Sequence, residues 1–247
     1  MSEHLRLGNI EVDVVFKDIK NVHLGVYPPT GRVRIAAPER MSLETVRLFA
    51  IGKLGWIKAQ QRKLLAQERE APREYLERES HYLWGKRYLL EIHATKGRQH
   101  VLVGHKSLGL HVLPDASLDR RAAVLEDFYR ETLRDAARPL IQKWEKKLGV
   151  KVERFFIQKM KTMWGSCNAQ RQTIRLNLEL AKKPADCLDY VVLHEMCHLL
   201  VPDHGERFVA LLDQHMPGWE TIRQRLNDAP LSLTRTKAED DEPIFNE

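Results

Sequence analysis

Apolar and polar residues alternate with a period of two over much of the first third of the chain. Ile10 to Phe16 alternates in this way, as a strand with one buried face does. Val22–Tyr27 and Arg32–Ala37 flank Pro28-Pro29-Thr30-Gly31, a turn string that predicts a hairpin. Ser42 is then placed to cap a long helix running to about Glu68, with Val46, Phe49, Ile51, Leu54, Ile57 and Leu64 as its apolar positions. Gly52 and Gly55 weaken that helix locally. Tyr82–His93, His100–Val103 and Leu108–Leu113 read as further strands, separated by Lys96-Gly97 and Lys106-Ser107. No internal repeat is visible.

From Ser117 the period changes to that of a helix. Leu125, Phe128, Tyr129, Leu133, Ala136, Leu140, Ile141 and Trp144 trace one face up to Lys147, with Pro139 expected to kink it and Gly149 to end it. Phe155–Lys159 and Thr173–Leu178 read as strands around Met163-Trp-Gly-Ser-Cys167, followed by a helix over the residues before Pro202. Phe208–His215 and Gly218–Leu226 predict two more helices. The fold class expected is α+β. Residues 1–115 form a β-rich N-terminal region with one long helix, 116–230 a helical domain, and 231–247 an acidic tail expected to be disordered.

The chemistry concentrates in His194-Glu-Met-Cys-His198, with His204 six residues on. On a helix, residues four apart share a face, so His194 and His198 can turn two imidazoles toward one ion. Glu195 lies about 100° round from His194, within reach of a water at the metal without ligating it. Pro184 and Asp186 mark the start of the helix, Asp186 as an N-cap candidate, and Pro202 stops it. A chain that turns there can return His204 to the ion. Three protein ligands leave a fourth position for water, as in catalytic zinc sites. Asp203, Glu206 and Glu220 are the carboxylate alternatives for the third ligand. The bland reading is a set of histidines that hold no metal, since the chain has 11 of them.

Composition narrows the setting. The chain is 43% hydrophobic and 30% charged, as soluble globular proteins are. No run approaches the roughly 18 apolar residues of a membrane span, and the N-terminus has no apolar signal core. Cys167, Cys187 and Cys197 form no paired framework. A cytoplasmic location is therefore expected, with Cys197 a small packed residue. The net charge is +6, and Lys237 with Glu239, Asp240, Asp241, Glu242 and Glu247 gives the tail a local −4, leaving +10 elsewhere. Such a body suits nucleic acid or an acidic partner. The basic residues are interleaved with acids, however, which is the pattern of solvated helix faces.

Met160-Lys-Thr-Met-Trp-Gly-Ser-Cys167, Ile174-Arg-Leu-Asn177, Asp189-Tyr-Val-Val-Leu-His-Glu-Met-Cys-His198, His204 and Phe208 together resemble the YgjP-like metallopeptidases. These are zincins related to the SprT-like and WLM zinc proteases. The resemblance implies a zincin-like metallopeptidase domain, Zn2+ held by His194, His198 and His204, and Glu195 as the catalytic glutamate. It also implies protein or peptide substrates, paired along an exposed edge strand expected at Thr173–Leu178. Met163 stands where many relatives have a basic residue, and Gly205 where they have a serine. The turning glycine of metzincins is absent, so Met216 reads as core. Tyr190 and Asn177 are candidates for stabilising the oxyanion, each with a structural role as the alternative. Two other functions stand beside the peptidase reading: a protease acting on DNA-associated proteins, and a non-enzymatic zinc-containing binding module. The sequence fixes neither the substrate nor the oligomeric state.

Overall fold

A computed structural model describes residues 2–27, 30–66, 73–160 and 163–228. The acidic tail lies outside these residues, as do the two prolines of the first hairpin turn and residues 67–68 of the expected long helix. The chain divides into two compact units, one within residues 1–71 and the other spanning 72–229. The architecture is α+β with a β-rich N-terminal region, as expected.

The first unit is built on a four-stranded sheet of order β1-β2-β4-β3. Its strands are β1 (Ser2–Leu7), β2 (Ile10–Lys17), β3 (His23–Tyr27) and β4 (Arg32–Pro38). Val12, Val14, Val33 and Ile35 alternate inward and are fully buried, together with Val46, Ala50 and Ile57 from the helices that follow. The expected long helix is two, α1 (Leu43–Gly52) and α2 (Leu54–Ala66), broken at Lys53. Gly52 and Gly55 bracket the break, where backbone freedom opposes helix continuation. Ser42 caps α1 by accepting a hydrogen bond from the Thr45 amide.

The second unit begins with another four-stranded sheet, of order β5-β6-β8-β7. Here β5 (Ser80–Leu83) and β6 (Lys86–Ala94) replace the single strand expected over Tyr82–His93, and β7 (His100–Val103) and β8 (Ser107–Val112) follow. The two sheets share one plan. An antiparallel hairpin leads in, its second strand runs parallel to the fourth, and the third pairs antiparallel with the fourth. This repeat is carried by topology, not by the residues.

Helix α3 (Leu118–Leu148) runs unbroken through Pro139 and ends at Gly149, whose left-handed φ of 67° closes the C-terminus. A three-stranded sheet of order β10-β11-β9 follows, from β9 (Arg154–Gln158), β10 (Gly165–Asn168) and β11 (Thr173–Asn177). A 3-10 turn at Leu178–Lys182 leads into α4 (Ala185–Cys197), and α5 (Glu206–His215) and α6 (Trp219–Asp228) complete the unit.

The change of period near 115 is not where the compact units divide. Leu83, Leu90, Leu108, Leu110 and Val112 of the second sheet share one core with Leu133 and Trp144 of α3 and Val192 and Leu193 of α4. The β5–β6 turn also docks on the approach to α4. The Trp84 and Gly85 amides donate to the Ala181 and Lys182 carbonyls, at 2.9 and 3.2 Å. The period change marks a switch of element type inside one unit. A second expectation is corrected here as well. Thr173–Asn177 is no edge strand, because it pairs with β10 on one side and β9 on the other.

Candidate metal centre

Helix α4 carries the centre, and its sequence explains how it is held. Pro184 precedes the first helical residue and no side chain caps the helix; Asp186 lies inside the first turn, where it pairs with Arg225. Asp189 anchors the outer face to α3, accepting from Trp144 Nε1 at 2.6 Å and Lys143 Nζ at 2.7 Å. Leu188, Val191, Val192, Leu193, Met196 and Cys197 are buried, so the helix cannot rotate without exposing apolar surface. Cys197 is fully packed, as expected.

Past Cys197 the chain tightens through a hydrogen bond from Leu200 N to the Cys197 carbonyl and then turns before Pro202. That turn brings back His204. His194, His198 and His204 each offer a donor atom, and the three lie within 4.8 Å of one another. His194 Nε2 and His204 Nε2 are 3.2 Å apart. Two nitrogens on one tetrahedral zinc, each at about 2.0–2.1 Å from it, stand about 3.3–3.4 Å apart. The residues present therefore fit a zinc-sized ion. Among the carboxylate alternatives, Asp203, Glu206 and Glu220 are not in the group.

The imidazoles are prepared for ligation. His198 Nδ1 donates to the Val201 carbonyl at 3.2 Å, which leaves Nε2 with the lone pair. Tyr190 Oη lies 3.5 Å from His194 Nδ1, a long contact on the outer side of that ring. Burial holds all three histidines below the usual imidazole range. His194 is driven to about 3 by burial first and then by His198, His204 and Arg223. Neutral rings present lone pairs, as a metal requires. Phe208 packs under all three, its ring 4.9, 4.6 and 4.8 Å from those of His194, His198 and His204. Met216 is partly buried and packed against the same core.

Glu195 is 6% exposed, and burial pushes its carboxyl up to about 8. It faces β10 at Gly165, where an added Cβ would lie 2.6 Å from Oε1 and 2.7 Å from Cγ. Only glycine admits the carboxylate there. A cavity of about 530 Å³ opens over these groups, lined by Trp164, Ser166 and Cys167 on the β10 side and by Arg223 and Leu226 of α6. Burial, and then the Glu195 charge, push the Cys167 thiol up to about 11, so it stays protonated near neutral pH.

Asn177 is not available to substrate. It is fully buried, and its side chain donates to the Met160 and Met163 carbonyls and accepts from the Glu179 amide. Its role is structural, tying the loop ahead of β10 to the end of β11. Three contributions went unread in the sequence: the fit of Glu195 against Gly165, the ring of Phe208 beneath the triad, and Arg223 at the cavity wall. The first depends on a contact between elements remote in the chain and the second on how α5 folds back on α4, neither of which spacing reports.

A family model described as YgjP-like, metallopeptidase domain, matches residues 20–229. Among solved structures, the metallopeptidase zymogen of Pyrococcus abyssi abylysin is similar to this chain, with 20% identity and a TM-score of 0.34. That match covers 36% of this chain and 90% of abylysin. The metallopeptidase zymogen of Methanocaldococcus jannaschii jannalysin has 21% identity and a TM-score of 0.33, over 36% of this chain and 92% of its own. No curated protein matches. Among the described residues, no helix is long and apolar enough to cross a membrane.

Proposed function

Because this chain belongs to the YgjP-like metallopeptidase family, whose members hydrolyse peptide bonds, we propose that it is a zinc-dependent endopeptidase. In this reading His194, His198 and His204 hold the ion and Glu195 is the general base. The observation that carries it is the convergence of three neutral imidazoles beside a buried carboxylate, all facing one cavity. A structural zinc site has no use for that carboxylate and usually closes with a fourth protein ligand.

A zinc ion bound there supplies Lewis acidity, polarising a peptide carbonyl and lowering the pKa of water toward about 7. The rest is the work of this chain. Glu195 accepts a proton from the attacking water and returns it to the departing amide nitrogen. Its place against Gly165 sets it between the metal helix and β10. An extended substrate is best accommodated along β10, an edge strand of its sheet whose residues line the cavity. Backbone hydrogen bonds to β10 then present the scissile carbonyl to the triad. Tyr190 contacts the outer nitrogen of His194 and acts by positioning that ring.

The test compares wild type with Glu195→Gln for zinc content and for cleavage of an unfolded protein. Zinc is expected to stay at one per chain while cleavage falls by roughly 10²–10⁴, the usual span for a general base. Equal cleavage by both proteins would remove Glu195 from the mechanism.

A further inference from the structure

Among the described residues, the cavity has one permanent cation in its wall, Arg223. Arg223 stands on α6 four residues after Trp219 and three before Leu226, so the three share one face of the helix. Trp219 and Leu226 are buried, whereas Arg223 is exposed at the cavity. Its guanidinium lies 5.8 Å from the centre of the Trp219 ring. Trp219 stacks on Tyr190 at 6.1 Å and an interplanar angle of 8°, and Tyr190 lies against His194 at 5.7 Å. The stack links Arg223, through Trp219 and Tyr190, to the outer side of a triad ring.

Its neighbour Arg225 pairs with Asp186. Arg223 has no carboxylate partner among the described residues; it rests on the Trp219 face. A guanidinium held on an aromatic ring keeps its edge hydrogen-bond donors directed outward, in a fork that matches a carboxylate. Among the described residues, the only carboxylate lining the cavity is Glu195, which is buried against Gly165.

We propose that Arg223 is a specificity-determining residue that takes a substrate carboxylate beside the scissile bond. The carboxylate is supplied either by an acidic side chain or by a free peptide C-terminus. The inference rests on the peptidase reading above and names the substrate class of the same cavity. Arg223 sits on α6, and α4 packs against both α6 and β10. Because β10 residues and Arg223 line the same cavity, a peptide paired with β10 meets Arg223 through a group that reaches across that cavity. Charge selects the group, and the fork fixes its orientation.

The test uses the full-length zinc-loaded protein and four forms of one fluorescent peptide. An internal residue near the cleavage point is Glu or Gln, and the C-terminus is free or amidated. Affinity is measured on Glu195→Gln protein, where cleavage is suppressed, and kcat/KM on the protein with Glu195 intact. Either the Glu peptide or the free-terminus peptide is expected to bind about tenfold more tightly than its uncharged counterpart, which tells which source is used. Arg223→Gln should abolish that ratio, Arg223→Lys should restore part of it, and added salt should shrink it. Equal affinity for all four peptides would overturn the proposal. So would an Arg223→Gln enzyme whose kcat falls equally on all four, since the cation would then act on the transition state. A carboxylate preference in binding without cleavage by wild type would instead defeat the peptidase reading and leave the Arg223 assignment standing.

Discussion

At the scale of single residues, the centre depends on two contacts as much as on its titratable groups. Gly165 leaves room for the Glu195 carboxylate, and any Cβ there must displace it by several tenths of an ångström. The buried helix cannot retreat, so the carboxylate must move instead. A shift of about 1 Å in a reacting group can cost about 10²-fold in rate. Gly165→Ala is therefore expected to lose about two orders of magnitude in kcat while keeping its zinc, measured by steady-state kinetics beside metal analysis. Unchanged kcat would show that the carboxylate works elsewhere. Phe208 supports the imidazoles from below, so Phe208→Ala should weaken zinc binding by about 10–100-fold, read by competition with a chromogenic chelator. It should also destabilise the fold by about 3–5 kcal/mol through the cavity it leaves. The sequence singled out the three histidines and the glutamate as candidates because helix period and a proline break are local facts. It did not reach Gly165, Phe208 or Arg223 as parts of the site, since each acts on a residue of another element.

At the scale of elements, strands with one buried face were legible and the others were not. Val12, Val14, Val33 and Ile35 alternate and gave β2 and β4 directly. Strand β10 is Gly-Ser-Cys-Asn, half-buried at every position, with α4 on one side and the cavity before it, so no alternation betrays it. The β5–β6 turn was hidden because its first central residue is Trp84, which adopts a left-handed φ of 50° ahead of Gly85 at 76°. Two-residue hairpin turns need that conformation, but asparagine, aspartate or glycine usually supplies it. The same sheet carries a cross-strand ladder of imidazoles. His111 on β8 stacks between His93 on β6 and His100 on β7, at 4.8 and 4.6 Å. Partial burial first, then His100 and His93, hold His111 below its ordinary value. Its contribution to stability is thus fully present above about pH 6.5, the unfolded value, and is lost as pH falls toward the folded one. Proton NMR of the imidazoles should find His111 titrating below about 6.5, moving upward in a His93→Gln, His100→Gln protein. A titration at or above that value in the native chain would contradict the stack.

At the scale of the molecule, the family match spans both units while the metal centre belongs to one. Each unit has its own buried cluster, with Val12, Ile35 and Ile57 in the first and Leu133, Leu176 and Phe208 in the second. Separate cores are free to melt separately. On the proposed reading zinc binds only the folded form of the second unit, so it should raise that transition alone. At a free zinc concentration about 100 times Kd, the gain is about 2.7 kcal/mol. For a unit of this size that corresponds to roughly 5–10 °C in Tm. Scanning calorimetry of the full-length chain, with zinc and after chelation, should therefore give two endotherms of which one moves. A single endotherm that shifts as a whole would mean the units unfold together. In that case the first sheet and the metal helix would be one cooperative structure, despite their separate cores and the repeated strand plan that each sheet follows.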